Sequence, residues 1–316
     1  MDTLKKGLKV GLQTTWTLGK IIFPVTLIVT VLGYTPFLDW LAGLLAPLMG
    51  WIGLPGEAAI PLVLGNVLNL YAAIGAILSM DLAVKEVFIL AVMLSFSHNL
   101  FVESAVAVKV GVRMSVVLAV RLGLAFFSAL MIHWLWQGGS SQAQYGFVSQ
   151  DAQAAVSGWE GVLWEGISSA FMGVLQIALV VIPIMVFIQI MKDLNWLQVF
   201  SKWMSPFTKM LGIRENTSTT LASGIVFGLA FGAGVMIQAI KEDNVKKKDL
   251  YLVFIFLVAC HAVIEDTLIF IPLGIPVIPL LIIRLVTAVL LTMLIAYIWN
   301  KSEKSEYARK EATYDY

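Results

Sequence analysis

Histidine and carboxylate side chains lie in the middle of two long apolar runs of this sequence, at corresponding places. With the polar residues beside them, they are Ser97, His98, Asn99 and Glu103 in the first run, and Cys260, His261, Glu265 and Asp266 in the second. Ionisable residues are costly inside a bilayer, and they usually face a cavity that binds a substrate or an ion. We therefore predict that the two sets form the two sides of one site.

The spacing of these residues suggests metal or proton chemistry. His261 and Glu265 are four residues apart, so on a helix they would share one face, as metal ligands or a proton relay require. His98 and Glu103 are five apart, about 140° around an ideal helix, and converge only if the helix is distorted near Ser97-His98-Asn99. Two imidazoles (His98, His261), a carboxylate (Glu265) and the Cys260 thiolate would suit a divalent ion such as Zn²⁺ or Fe²⁺. The alternative is that each histidine hydrogen-bonds a neighbouring helix and only stabilises packing.

Two arginines within apolar runs also need partners. Glu103 and Arg121 lie equally far from a predicted turn near residue 112, and Asp266 and Arg284 equally far from residue 275. Each pair should therefore sit at one depth on antiparallel neighbours. An unpaired buried charge is costly, so we predict two structural ion pairs, which would withdraw both carboxylates from a metal site.

Composition places the chain in a membrane. Of its 316 residues 59% are hydrophobic and 13% charged, and the mean hydropathy is +0.88. Such values are typical of proteins whose partner is the lipid bilayer. A net charge of +1 gives no sign of nucleic-acid binding, and one cysteine cannot form a disulfide within the chain. Neither a phosphate-binding loop nor a nucleophile–base set is found, which argues against ATP-driven transport by this chain and against an enzyme.

The apolar runs predict an all-α polytopic membrane protein with six spans, at 15–33, 86–110, 115–136, 166–191, 250–271 and 277–300. Segments 37–53 and 196–211 are expected to be interfacial amphipathic helices. Segment 57–80 is interrupted by Gly65, Asn66, Asn69 and Gly75. We predict that it is a re-entrant hairpin, because irregular backbone at membrane depth must line a cavity. Segment 217–240 is its counterpart, and the hairpin tips are placed at Gly65 and Gly224.

The second half of the chain repeats the first. Pro24 and Gly65 are matched at an offset of 159 residues by Pro183 and Gly224, and His98 is matched at 163 by His261. Lysine and arginine are concentrated in alternate connecting segments, which predicts cytoplasmic termini and opposite orientations for the two halves. We expect a first repeat at 1–136, an extracytoplasmic linker at 137–160, an inverted second repeat at 161–300 and a cytoplasmic tail at 301–316. Inverted repeats with broken segments at the midplane are typical of secondary transporters.

The run from Leu54 to Asn66, followed by Ser97-His98-Asn99 and Glu103, resembles the nucleoside-recognition (Gate) family of membrane proteins. That family is similar to parts of concentrative nucleoside transporters, to the membrane domain of B-type ferrous-iron permeases and to spore maturation proteins. The resemblance covers nearly the whole chain, once per half. It implies the fold more than the cargo, since family members differ in substrate.

The function we predict is secondary transport of a small polar solute across a bacterial-type inner membrane, with a divalent metal ion favoured. His98, His261 and Glu265, with Ser97 and Asn99, would bind the ion, a coupling cation or protons. The first alternative is a cation-coupled nucleoside carrier that uses Asn66, Asn69 and Tyr71. The second is a membrane scaffold or sensor that transports nothing, and a homo-oligomer is left open.

Overall fold

A computed structural model describes residues 2–146 and 158–314, so part of the predicted linker lies outside the described residues. The described chain is helical and forms no strand, which confirms the predicted all-α class. Its α-helices are α1 (Asp2–Gly33), α2 (Pro36–Gly50), α3 (Ala59–Val67), α4 (Leu70–Ile77), α5 (Val84–Ser97), α6 (Leu100–Lys109), α7 (Met114–Leu135), α8 (Gly158–Asp193), α9 (Trp196–Met210), α10 (Ser218–Glu242), α11 (Lys247–Ala259), α12 (Glu265–Leu268) and α13 (Val277–Tyr314).

Five helical segments among the described residues are long and apolar enough to cross a membrane. They are Asp2–Gly33, Val84–Lys109, Met114–Leu135, Gly158–Asp193 and Val277–Glu303. The prediction of one unbroken helix over 250–271 is wrong. Helix α11 ends at Ala259, because Cys260 is extended and Ala262 has a positive φ of 41°. Only one further turn of α-helix, α12, follows.

The two predicted hairpins are broken helices that fold back on themselves. In the first hairpin (α3 and α4) the chain breaks at Leu68–Asn69, and the Asn69 side chain accepts a hydrogen bond from the Ala72 N–H at 3.0 Å. In the second hairpin (α10) the break is at Gly228, with φ 76° and ψ 178°. A Cβ added to Gly232 would lie 3.1 Å from the Ser223 hydroxyl, so the two arms of α10 pack together.

The predicted tips at Gly65 and Gly224 are wrong by about one turn, since both residues lie inside helices before the breaks. Their role is close packing. The Gly65 carbonyl accepts a hydrogen bond from the Asn99 N–H at 2.7 Å, and the Gly224 carbonyl accepts one from Ala262 at 3.0 Å. A Cβ on Gly224 would lie 2.6 Å from Leu257 Cδ1, so a side chain there would force the Leu257 side chain to shift. Each hairpin therefore contacts one broken segment through backbone.

Helices α1 and α8 pack along their whole lengths in antiparallel directions. A Cβ on Gly11 would lie 3.1 Å from the Ile182 Cα, and one on Gly19 would lie 3.3 Å from the Val174 side chain. Small residues let two backbones approach in this way. The contact explains why α1 begins at Asp2 rather than near residue 15: its first turns are held against α8.

Candidate functional site

The site is built where two long helices are interrupted. His98 directly follows the last residue of α5, and the next residue, Asn99, adopts the left-handed conformation (φ 50°) before α6 begins. This is the distortion predicted at 97–99. In the second half the interruption lies at Cys260–Ala262, so His261 and Glu265 are not on one continuous helix face, and that prediction is wrong. Both interruptions turn a histidine toward the centre of the protein.

The two histidine rings are held in the same way. His98 Nδ1 lies 2.7 Å from the Leu94 carbonyl oxygen, and His261 Nδ1 lies 2.8 Å from that of Leu257. A carbonyl oxygen can only accept, so each Nδ1 carries the hydrogen. The Nε2 atom of each neutral ring is therefore left free of hydrogen. The centroids of the two rings lie 5.3 Å apart.

Two carboxylates bridge the histidines across the halves of the chain. Glu103 places its oxygens 3.3 Å from His98 Nε2 and 3.2 Å from His261 Nε2. Asp266 Oδ2 lies 3.5 Å from His261 Nε2 and 3.8 Å from His98 Nε2. All four side chains are buried. Each acid thus faces one histidine from its own half and one from the other half.

Two fully buried arginines hold these carboxylates in place. Arg121 Nη2 lies 2.8 Å from Glu103 Oε2, and Arg284 Nη2 lies 3.1 Å from Asp266 Oδ2. The structure therefore has both contacts that depth matching predicts. The same guanidinium groups also donate to the backbone carbonyls of His98 and His261. The expectation that pairing would withdraw the acids from the histidines is wrong, because each carboxylate contacts both kinds of partner.

The charges in this cluster favour a cation bound between the histidines and the carboxylates. Two arginines balance two acids, so neutral histidines would direct Nε2 lone pairs at carboxylate oxygens 3.2–3.8 Å away. That arrangement is repulsive unless a proton or a metal ion lies between them. Atoms of His98, His261 and Asp266 all lie within 4.8 Å of one another, as metal ligands would. Among the described residues this group contains neither Cys260 nor Glu265, which corrects the predicted ligand set.

Glu265 instead bonds to the first hairpin. The Tyr71 hydroxyl donates to Glu265 Oε1 at 2.5 Å, joining residues 194 positions apart. Sequence reasoning placed both residues at the site but gave no signal that they pair.

A cavity of about 70 Å³ lies between the broken segments and the breaks of the hairpins. Its walls include both histidines, both acids, Asn69, Tyr71, Asn99, Gly228 and Glu265. Two other predicted polar residues are engaged with their own helices. Asn66 donates to the Leu62 carbonyl at 2.7 Å and Ser97 to that of Met93 at 2.9 Å.

Comparison with known proteins identifies the family. The sequence model of the Gate family, described as nucleoside recognition, matches residues 15–130 and again residues 174–289. The chain belongs to the Gate family. Each match includes one of the two histidines and one of the two hairpins, so the site lies between the two copies of the domain. Family membership associates the chain with membrane transport and leaves the substrate undetermined.

One relative is similar over almost its full length. The chain is 61% identical over 304 residues to YvoD, an uncharacterized membrane protein of Bacillus subtilis (strain 168). The aligned residues make up 96% of this chain and 97% of the relative. No solved structure matches the chain significantly.

Proposed function

We propose that this protein is a secondary transporter that binds a divalent metal ion between its two halves. The observation that carries the proposal is the pair of Nδ1-bonded histidines, whose Nε2 atoms converge with two buried carboxylates at one cavity. Imidazole nitrogen and carboxylate oxygen are suitable ligands for Zn²⁺ and Fe²⁺. The metal is the cargo, held by His98, His261 and Asp266, while Arg121 and Arg284 orient the acids.

The size of the cavity favours an ion over a nucleoside. Pockets for small organic ligands usually measure about 300–1,000 Å³. The central cavity measures about 70 Å³, which is enough for an ion with a few waters. Nucleosides remain the second candidate because of the family's description. Their binding would require the two hairpins to move apart.

The arrangement of the halves supports alternating access. Helices α1 and α8, equivalent at an offset of 159 residues, pack antiparallel, as an inverted repeat requires. In the proposed topology both termini are cytoplasmic, in a bacterial-type cytoplasmic membrane. Movement of one hairpin at a time away from the centre would expose the cavity to one side of the membrane.

Ligand-induced stabilisation of purified protein tests the proposal. Zn²⁺, Mn²⁺ and Fe²⁺ under reducing conditions would be compared with uridine and adenosine, each over a range of concentrations. A ligand at a hundred times its Kd stabilises the folded state by about 2.7 kcal/mol. We expect stabilisation by a metal and not by a nucleoside. Stabilisation by nucleosides alone would overturn the metal assignment.

Three variants locate the binding site. His98→Gln and His261→Gln should each remove the metal-induced stabilisation, since each deletes an Nε2 ligand. Cys260→Ser is the matched control: it changes a buried neighbour of His261 that lies outside the ligand group. Proteoliposomes then test flux. Metal binding without metal uptake would favour a sensor or scaffold over a transporter.

A further inference from the structure

A second and larger cavity lies on the side of the protein, away from the central site. It is a groove of about 660 Å³ between α7 and α13, with α5 at its base. Phe88 forms the base, Trp136 and Pro276 lie at one end, and Ser128 and Thr287 lie at the other. None of the described residues that line it is ionisable. The groove is therefore unsuited to a polar cargo.

The length and position of the groove match one leaflet of a bilayer. Along α13 it runs from Pro276 to Thr287, which at 1.5 Å per residue is about 16 Å. Half of a hydrocarbon core of about 30 Å is about 15 Å. Its rim carries exposed apolar side chains, Phe127 and Leu135, on a spanning helix, so it opens sideways into lipid. An acyl chain entering beside Trp136 would end near Ser128 and Thr287.

Polar groups lie at the Trp136 end of the groove, where a lipid headgroup would be. The Lys85 ammonium donates to the carbonyl oxygens of Trp136, at 2.5 Å, and His133, at 3.0 Å, at the end of α7. An ammonium group has three N–H donors, so one remains for a phosphate oxygen. Trp136 packs edge-on against Phe88, with centroids 5.4 Å apart, and sits at the end of its helix, as interfacial tryptophans do.

We propose that this groove binds one phospholipid, with an acyl chain between α7 and α13 and its phosphate beside Lys85. The two helices that flank the chain are those that carry Arg121 and Arg284. A bound lipid thus fills space between the two helices whose arginines contact Glu103 and Asp266. The proposal does not depend on the identity of the transported cargo.

Native mass spectrometry of the detergent-solubilised protein tests the site, using phosphatidylglycerol and a diacylglycerol with the same acyl chains. We expect wild type to retain one phosphatidylglycerol. Ile283→Trp should retain little or no phosphatidylglycerol, because its indole would occupy the space of the acyl chain. Ile282→Trp is the matched control, because Ile282 points outward on the same helix and is 53% exposed. It should retain the lipid as wild type does.

Two further comparisons complete the test. Wild type should prefer phosphatidylglycerol to diacylglycerol, and Lys85→Met should remove that preference while both lipids still bind weakly. Thr287→Phe replaces Ile283→Trp if the latter does not elute as folded protein. Equal retention by wild type and the groove-filling variants would overturn the proposal. So would a dimer that dissociates in these variants with no change in lipid retention, since a second copy would then occupy the groove.

Discussion

Asp266→Asn should destabilise this protein strongly, whereas the change at the adjacent residue, Glu265→Gln, should not. Arg284 is fully buried, and Asp266 is the only carboxylate within 4.0 Å of its guanidinium among the described residues. Removing one partner of a buried ion pair costs about 3–5 kcal/mol, because a charge is left uncompensated. Asparagine keeps an acceptor oxygen and the His261 carbonyl still accepts from Arg284. The lower end, about 3 kcal/mol, is therefore expected.

The reason for the difference is the partner of each acid. Glu265 is equally buried but bonds to the neutral Tyr71 hydroxyl, and glutamine can still accept that hydrogen bond. Only the excess strength of a charged over a neutral hydrogen bond is lost, about 1 kcal/mol. At roughly 2–4 °C per kcal/mol, the melting temperature should fall by about 6–12 °C for Asp266→Asn and by less than about 4 °C for Glu265→Gln.

The assay is thermal unfolding of purified protein in detergent with a chelator present, so that metal binding does not contribute. The double variant Asp266→Arg, Arg284→Asp restores opposite charges and should recover part of the lost stability. A larger fall for Glu265→Gln than for Asp266→Asn would show that the roles of the two acids are reversed. Equal falls would show that the Asp266–Arg284 contact contributes no more than an ordinary hydrogen bond.

Two other predictions concern topology and the second hairpin. Single cysteines would be introduced at Ser140, Asn244 and Ser302 in a variant whose buried native cysteine is replaced. Only the cysteine at Ser140 should react with a reagent added from outside. External labelling at Asn244 would contradict the proposed inverted arrangement. Gly228→Ala should cost about 1–3 kcal/mol and reduce metal-induced stabilisation, because φ 76° and ψ 178° are a conformation essentially restricted to glycine. Gly234→Ala, with nothing within 4 Å of an added Cβ, is its control in thermal unfolding; equal melting temperatures for the two variants would show that the break at Gly228 is not strained.

The sequence predicts most helices of this fold because apolar runs are long and end in polar residues. The predicted helix at 115–136 differs from Met114–Leu135 by one residue at each end, and 196–211 is similarly close to Trp196–Met210. The broken helix at Cys260–Ala262 could not be predicted in this way. The segment contains neither glycine nor proline, and the positive φ of Ala262 is supported by a backbone bond to Gly224, a tertiary contact.

The sequence predicts candidate residues for the site but not the contacts between them. The histidines, acids and arginines were identified from their cost in a membrane and from matching depth. Which acid contacts which histidine depends on how the two halves pack, and a single sequence carries no signal for contacts such as Glu103 with His261, 3.2 Å apart. The predicted pairing of His261 with Glu265 assumed an unbroken helix.

The Tyr71–Glu265 bond is one point at which the two halves of the site differ. Histidine, acid and arginine each have an equivalent in the other half, but the positions equivalent to Tyr71 and Glu265 hold Ala230 and Val102. Two inverted halves with identical contacts would make the two outward-opening states of a transporter equal in free energy. A hydrogen bond to a charged group contributes about 1.5–3 kcal/mol, which corresponds to a bias of about tenfold or more. Because this bond holds only the first hairpin to the centre, opening of the first hairpin in the proposed cycle requires breaking it, and opening of the second does not.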